Sequence, residues 1–199
     1  MGFSTLLDIL GSIIVGGLLF MILLRMNDAA VKNTYINAGD LIVQQSLVEL
    51  VTVLEYDFRK IGYCADWENV PPSSQAIIQA DSNRITYLTD TNSDGTLDTM
   101  HYYLGPISEL ASTPNPRDRI LYRVVNNATP RGANLGVTSF NMVYYDPLGD
   151  TLHFPISQPG QIYTIEINLV VENYTAYDNE YNTAFWKQIR LAARNLQNR

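Results

Sequence analysis

The sequence predicts an α+β protein in which one long N-terminal helix packs on an antiparallel β-sheet head. Three observations carry this prediction. Residues 3–24 are almost uniformly apolar, residues 27–63 keep a helical period without a proline, and the rest of the chain contains short runs rich in β-branched and aromatic residues. A long helix followed by a series of strands is typical of the α+β class.

We therefore divide the chain into three segments. Residues 1–26 are predicted to form an apolar helix that lies in a membrane or in the core of a filament, residues 27–64 an amphipathic continuation of that helix, and residues 65–199 a β-rich globular head. A length of 199 residues fits one ordinary domain with such an appendage.

Composition excludes several classes of protein. The formal net charge is −7, whereas a nucleic-acid-binding domain needs a basic surface, so no nucleic-acid partner is expected. Cys64 is the only cysteine, which leaves neither an intramolecular disulfide nor a cysteine zinc site. We predict that Cys64 is a small buried apolar residue.

The first segment is long enough to cross a bilayer. Residues 3–24 would span ~33 Å as a helix, against a hydrocarbon thickness of ~30 Å. A secretory signal peptide is the main alternative, but it would have a basic start and a shorter apolar stretch. The side chains of Met1 and Gly2 carry no charge.

Asp8 is the one charged residue between Phe3 and Leu24. A carboxylate inside an apolar helix is costly and indicates a functional role, with a positive group of a neighbouring chain as its natural partner. Two alternatives stay open: Asp8 could extend to the headgroup level, or it could cap the start of the helix. The pair Gly16 and Gly17 is predicted to permit close helix packing and to weaken the helix locally.

The second segment has one apolar stripe and one polar face. The predicted polar face comprises Gln44, Gln45, Glu49, Asp57 and Lys60. The stripe recurs at steps of three and four residues and is expected to lie on the sheet; it comprises Val43, Leu47, Leu50, Val51, Leu54, Phe58 and Ile61.

In the head, proline and serine at 71–74 end the helical pattern, and turn residues at 146–149 and 158–160 separate the later runs. The clearest alternation of polar and aliphatic residues is at 163–171. The predicted strands are Arg84–Thr89, Thr99–Leu104, Ile120–Val125, Ser139–Tyr145, Tyr163–Val171 and Phe185–Ala193.

The loop at residues 90–98 is the sharpest local motif. Asp90, Asn92, Asp94, Thr96 and Asp98 place oxygen side chains where calcium loops have them, and Gly95 stands at the sharp turn. These residues predict a structural Ca²⁺ site. The same residue types also form plain turns between strands, and that alternative stays open.

The residues do not predict catalysis. The two histidines, His101 and His153, lie in strand-like runs, and the sequence has neither a serine elbow nor a metal-binding helix. We therefore expect a protein that is not an enzyme. Asn127 and Asn173 begin three-residue patterns of the N-glycosylation type, and the head is a candidate glycoprotein.

Four stretches together resemble the superfamily of type IV pilins and type II secretion pseudopilins, and most of all its PilW-type minor pilins. Residues 2–7 resemble the family's processing site, and residues 56–64 are similar to the end of its long helix. Residues 137–146 look like one of its strands, and residues 189–196 are similar to its closing segment. The family's usual glutamate would fall at Leu7, one position before Asp8.

The resemblance implies how such a chain is processed and assembled. A prepilin peptidase would cleave after Gly2, which leaves Phe3 as the new, methylated N-terminus. The subunit would lie in the inner membrane and then, through an assembly ATPase and a platform protein, join copies of itself or related pilins in an extracellular filament on the cell surface. Asp8 would pair with a neighbour's terminal amine, and Gly16 and Gly17 would mark a locally unwound stretch of the helix.

Two functions are therefore expected from the sequence. The first is a structural subunit that polymerises through its N-terminal apolar helix. The alternative is a single-pass, membrane-anchored adhesin or binding domain. A helix that serves only as a membrane anchor does not need a carboxylate within its apolar stretch, where the charge of Asp8 is costly, so the filament subunit is favoured.

Overall fold

The computed structural model describes residues 2–174 and 181–191 and has the predicted α+β architecture. Helix α1 spans Gly2–Arg59 and is followed, after a short helix α2 (Ser73–Ala76), by seven strands. The strands are β1 (Ile77–Ala80), β2 (Arg84–Thr89), β3 (Asp98–Leu104), β4 (Arg119–Val125), β5 (Arg131–Tyr145), β6 (Thr164–Glu172) and β7 (Thr183–Leu191).

The seven strands form one antiparallel sheet in sequence order, so each strand pairs with the next along the chain. All six predicted strands exist, and β2 has the predicted bounds. Strand β5 is longer than predicted because its first half, which contains Gly132 and Gly136, lacks the usual composition of a strand. Strand β1 was missed because four residues are too few to show alternation. The predicted end of the last strand, at Ala193, lies outside the described residues.

The chain divides into two compact units, residues 1–39 and residues 40–199. The second unit contains the hydrophobic core. Val43, Leu54, Phe58 and Ile61 are buried in it, and Leu47, Leu50 and Val51 pack against it, which confirms the predicted apolar stripe. The ring of Phe58 lies 5.7 Å from that of Tyr87 on β2 and 5.6 Å from that of Tyr102 on β3.

Helix α1 ends at Arg59 because Gly62 adopts a left-handed conformation, with φ of 72°. Its N–H donates to the carbonyl of Leu88, so a backbone hydrogen bond ties the end of the helix to strand β2. Cys64 follows and is buried as predicted, with 6% of its surface exposed.

Candidate functional site

The first unit presents an exposed apolar helix surface over residues 3–24. The large apolar side chains from Phe3 to Leu24 expose between 48% and 79% of their surface. One stretch of α1 is long and apolar enough to span a membrane, with a mean hydropathy of 2.5, and none of it is buried within the chain. Such a surface needs lipid, detergent or other helices around it in water.

Asp8 lies within this apolar surface and not at the end of the helix. Because α1 begins at Gly2, Asp8 is inside the helix, and the hypothesis that it caps the first turn is wrong. The hydroxyl of Ser12, on the same helix face, donates to the carbonyl of Ile9 at 2.8 Å. Among the described residues, the Asp8 carboxylate has no hydrogen bond and no ion pair.

The glycines of the first unit leave room beside the helix. A Cβ placed at Gly11, Gly16 or Gly17 would meet no atom within 4 Å, so contacts within the described chain do not require glycine at these positions. The helix continues through Gly16 and Gly17 without a break. Small residues at these positions allow a second helix to approach the backbone closely.

The part of α1 in the second unit also keeps apolar side chains in solvent. Leu41 exposes 70% of its surface, Val48 63% and Tyr56 59%. Leu41 and Val48 are seven residues apart and therefore lie on one helix face, opposite the stripe that packs on the sheet. This second apolar face is a candidate contact surface for another protein.

Asp57 is the clearest correction to the predicted polar face. It is only 4% exposed, and its carboxylate accepts hydrogen bonds from Nε of Arg123 at 2.6 Å, from Nη2 of Arg123 at 3.3 Å and from the hydroxyl of Tyr102 at 2.5 Å. Asp57 is three residues after Leu54 and four before Ile61, so it shares their face. This spacing could have revealed that Asp57 points inward, whereas the predicted polar face placed its carboxylate in solvent.

In the loop at 90–98, the structure assigns each carboxylate its own donors. Asp90 is fully buried and accepts from the backbone N–H groups of Ala65 at 3.1 Å, Gly95 at 2.9 Å and Asp94 at 3.1 Å. Burial alone would raise the pKa of Asp90, but these hydrogen bonds outweigh it and hold the pKa below its usual value.

The carboxylates of Asp94 and Asp98 also accept hydrogen bonds from donors of the chain, mainly from side chains. Asp94 accepts from Thr96 and from Nδ2 of Asn92, and these side-chain bonds lower its pKa. Asp98 accepts from Thr91 and Asn126, which lower its pKa against the opposing effect of burial.

The five predicted ligands thus lie in one loop, where the side-chain oxygens of four of them accept hydrogen bonds from donors of the chain and the hydroxyl of Thr96 donates to Asp94. Within residues 2–174 and 181–191, no three His, Cys, Asp or Glu side chains are placed to share a metal ion. The turn geometry is complete without an ion, since Ser93 and Gly95 have φ of 61° and 84° and the carboxylates satisfy the backbone. The calcium site stays a prediction.

His101 is hydrogen-bonded within the sheet, and the two asparagines that begin the N-glycosylation patterns differ in exposure. Nδ1 of His101 lies 2.7 Å from the hydroxyl of Thr86 on the neighbouring strand, and burial, followed by the charge of Arg84, lowers the pKa of His101. Asn173 is 3% exposed, so its amide is not accessible to a glycosylating enzyme in the folded chain, whereas Asn127 is exposed.

A buried polar cluster beside the start of β4 and the end of β6 was not predicted from the sequence. Asn115, Asp118 and Asn173 are each at most 3% exposed, and Glu172 joins them through a hydrogen bond from Nδ2 of Asn115 at 3.0 Å. Residues 115–118 lie between recognisable elements, and their partners are more than 50 residues away in the chain, so no local pattern could reveal them.

Comparison of the chain with protein-family models, with curated proteins and with solved structures gave no match. The fold and the side-chain geometry are therefore the basis of the functional argument.

Proposed function

We propose that this protein is a structural subunit of an extracellular filament of the type IV pilus kind and that it polymerises through its N-terminal helix. The observation that supports this most is the exposed apolar surface of residues 3–24, which contains the carboxylate of Asp8 with no partner among the residues that the structure describes. The hydrocarbon of a bilayer would cover the apolar side chains, but it offers no partner to a carboxylate, whereas a neighbouring subunit can supply a cation.

In the proposed assembly, cleavage after Gly2 by a prepilin peptidase leaves the amine of Phe3 as that cation. The subunit is held in the inner membrane before assembly, and an ATPase and a platform protein drive its transfer into the filament. Partner subunits are copies of this chain or related pilins. The open space beside Gly11, Gly16 and Gly17 supports close helix packing, and the exposed Leu41 and Val48 support further contacts between subunits.

A membrane-anchored adhesin or binding domain is the second candidate. It is supported by the compactness of residues 40–199 as a unit of their own and by the presence of one helix that could span a membrane. In this case the apolar segment serves only as an anchor, and Asp8 extends to the lipid headgroups.

Substitution of Asp8 distinguishes the two functions. We expect Asp8→Ala to prevent or strongly slow fibre formation, because loss of one partner of a buried ion pair costs ~3–5 kcal/mol. Asp8→Asn keeps the shape, and we expect it to impair assembly nearly as much. The measurement is fibre yield by electron microscopy, in cells and after detergent removal, with mass spectrometry of the N-terminus.

Asp28→Asn is the matched control, since it removes an exposed carboxylate of α1 outside the apolar stretch. Normal fibre yield from both Asp8 variants would contradict the proposed ion pair. Absence of fibres from the unmodified chain, together with stable membrane insertion, would favour the anchored domain.

A further inference from the structure

Two arginines lie opposite each other on strands β4 and β5. Arg123 points to the face of the sheet on which α1 lies, because its guanidinium binds Asp57 of the helix. Arg131 pairs with Arg123 in register, so the two side chains share this face and their Cβ atoms are ~5 Å apart. Like charges that are directly opposite destabilise a pair of strands, so this arrangement favours the binding of an anion.

The positive charge of this pair is balanced only in part. The carboxylate of Asp57 accepts hydrogen bonds from Nε and Nη2 of Arg123 and neutralises that guanidinium. Arg131 is exposed, and the part of the chain that the structure describes offers it no hydrogen bond and no ion pair. One positive charge therefore remains on this face, which suits a monoanion.

A cavity of about 260 Å³ adjoins the two arginines, and Val125, Ala128 and Thr129 complete its wall. The loop after β4 turns back beside the strand, because Asn126 is in the left-handed region with φ of 54° and the N–H of Ala128 donates to the carbonyl of Val125 at 3.1 Å. The guanidinium of Arg131 and the hydroxyl of Thr129 can both donate hydrogen bonds to a carboxylate. The cavity is therefore suited to an anionic group.

Arg123 also borders an apolar groove of about 210 Å³ between α1 and the sheet. Val53 of the helix lies at this groove and keeps 48% of its surface exposed. Because Arg123 lines both spaces, an apolar chain in the groove ends beside the two guanidiniums. The apolar wall of the groove comprises Leu50, Val53, Leu54, Tyr102, Leu121 and Leu135.

The lining of the groove favours a hydrocarbon chain over a peptide. The hydroxyl of Tyr102 already donates to Asp57, and so do Nε and Nη2 of Arg123. A peptide would bring N–H and C=O groups that need partners, whereas a hydrocarbon chain needs none. Glu49 also lines the groove and repels an anion there, so the anionic end of the occupant lies towards Arg131.

We propose that the groove and the cavity together bind an aliphatic monocarboxylate, with its hydrocarbon chain along α1 and its carboxylate beside Arg131 and Thr129. Together the two spaces fall within the usual range of small-ligand pockets, ~300–1,000 Å³. All the residues involved belong to the second compact unit, so this binding does not depend on the apolar segment or on filament formation.

The test uses the full chain in nanodiscs of zwitterionic phosphatidylcholine, with empty nanodiscs as the baseline. Equilibrium dialysis measures the binding of radiolabelled butanoate, hexanoate and octanoate. We expect one octanoate per chain and an affinity that increases about fourfold for each added methylene, which corresponds to ~0.8 kcal/mol. Octanol has the same chain without the charge, and we expect it to bind at least about tenfold more weakly than octanoate.

Two variants separate the anionic end from the apolar chain. We expect Arg131→Gln to weaken octanoate binding at least about tenfold and to leave octanol binding unchanged. Arg84→Gln, at an exposed arginine of β2, is its matched control. Val53→Asp places a charge in the groove and should abolish the binding of both ligands, whereas Val48→Asp, at an exposed position of the same helix, should not.

The proposal is overturned if octanoate binds no better to the chain than to empty nanodiscs, if octanol binds as tightly as octanoate, or if Arg131→Gln binds octanoate as tightly as the unmodified chain. Acetate that binds as tightly as octanoate would also overturn it, because the cavity would then hold an adventitious anion only. A peptide with a C-terminal leucine that binds more tightly than octanoate would make the occupant a partner protein and would overturn it as well.

Discussion

At the scale of single residues, Asp57 shows how one buried charge links the helix to the sheet. Arg123 is on β4 and Tyr102 on β3, so one carboxylate connects α1 to two strands. The hydrogen bond to Asp57 is the main cause that raises the pKa of Arg123. Burial, followed by the charge of Asp57, raises the pKa of Tyr102. Both groups therefore keep their protons over the whole range in which proteins are stable.

We expect Arg123→Met to lower the free energy of unfolding by about 3 kcal/mol. The substitution preserves most of the volume but leaves the Asp57 carboxylate buried without a cation. The lower end of the usual range applies because the Arg123 side chain keeps 35% of its surface in water. Urea unfolding followed by tryptophan fluorescence measures the change.

The control is Arg59→Ala, which removes the exposed pair between Arg59 and Glu55 on the same helix. Such a pair contributes at most ~1 kcal/mol. Equal losses from the two variants would show that the Asp57 pair is no stronger than a surface contact.

The loop carboxylates predict a loss of stability in acid. The pKa values of Asp90, Asp94 and Asp98 are lowered by folding, so their contribution is complete above the unfolded value of ~3.9 and disappears as pH falls through the folded values. We expect the Tm to fall below about pH 4. Asp94→Asn, which cannot titrate, should flatten part of this fall, whereas Glu68→Gln should not; thermal unfolding from pH 2 to 7 measures both.

At the scale of elements, the loop between β2 and β3 can be a plain turn or an ion site. The hydrogen bonds of its three carboxylates account for the turn, so a bound ion would have to displace the donors of Thr96 and Thr91. Apart from Ala65 and Asn126, these donors lie within the loop itself, which explains why the sequence could suggest the loop but not its use.

The calcium prediction for this loop is tested on the full chain in detergent. If the loop binds Ca²⁺, a chelator should lower the Tm, since a ligand at a hundredfold excess over its Kd stabilises the native state by ~2.7 kcal/mol. Adding Asp94→Ala should remove this sensitivity. A Tm that does not respond to the chelator would leave the plain turn as the correct interpretation.

At the scale of the whole molecule, the two compact units differ in whether they contain a hydrophobic core. The hydrophobic core begins at Val43 and takes nothing from the first unit, whose apolar side chains stay exposed. The second unit therefore does not need residues 1–24 for its stability, whereas the proposed polymerisation does.

We expect that deletion of residues 1–24 gives a folded, soluble protein that forms no fibres. Light scattering, circular dichroism and electron microscopy check its mass, fold and assembly. The matched control is the full chain after the same detergent removal. Fibres from the truncated protein would mean that contacts between heads drive assembly, and the proposed role of the N-terminal helix would then be wrong.

The sequence by itself determined the features that depend on near neighbours in the chain. The period of the stripe from Val43 to Ile61 predicts the helix and its buried face, because residues three and four apart share a face. Alternation of polar and apolar residues in β2 and β6 predicts strands, because successive side chains of a strand point to opposite faces of the sheet. The apolar run that contains Asp8 is visible in the sequence alone, because its side chains stay exposed in the folded chain and do not depend on contacts with distant residues.

Only the tertiary structure decided where the charges go. Asp57 meets an arginine 66 residues away, and Asn115 meets Glu172 and Asn173 57 and 58 residues away. Such pairings depend on strand order and register, which a local pattern does not specify. A polar residue at the edge of an apolar stripe is stable either in water or beside a buried hydrogen-bond partner. Which of the two occurs depends on whether the sheet places such a partner within hydrogen-bond distance.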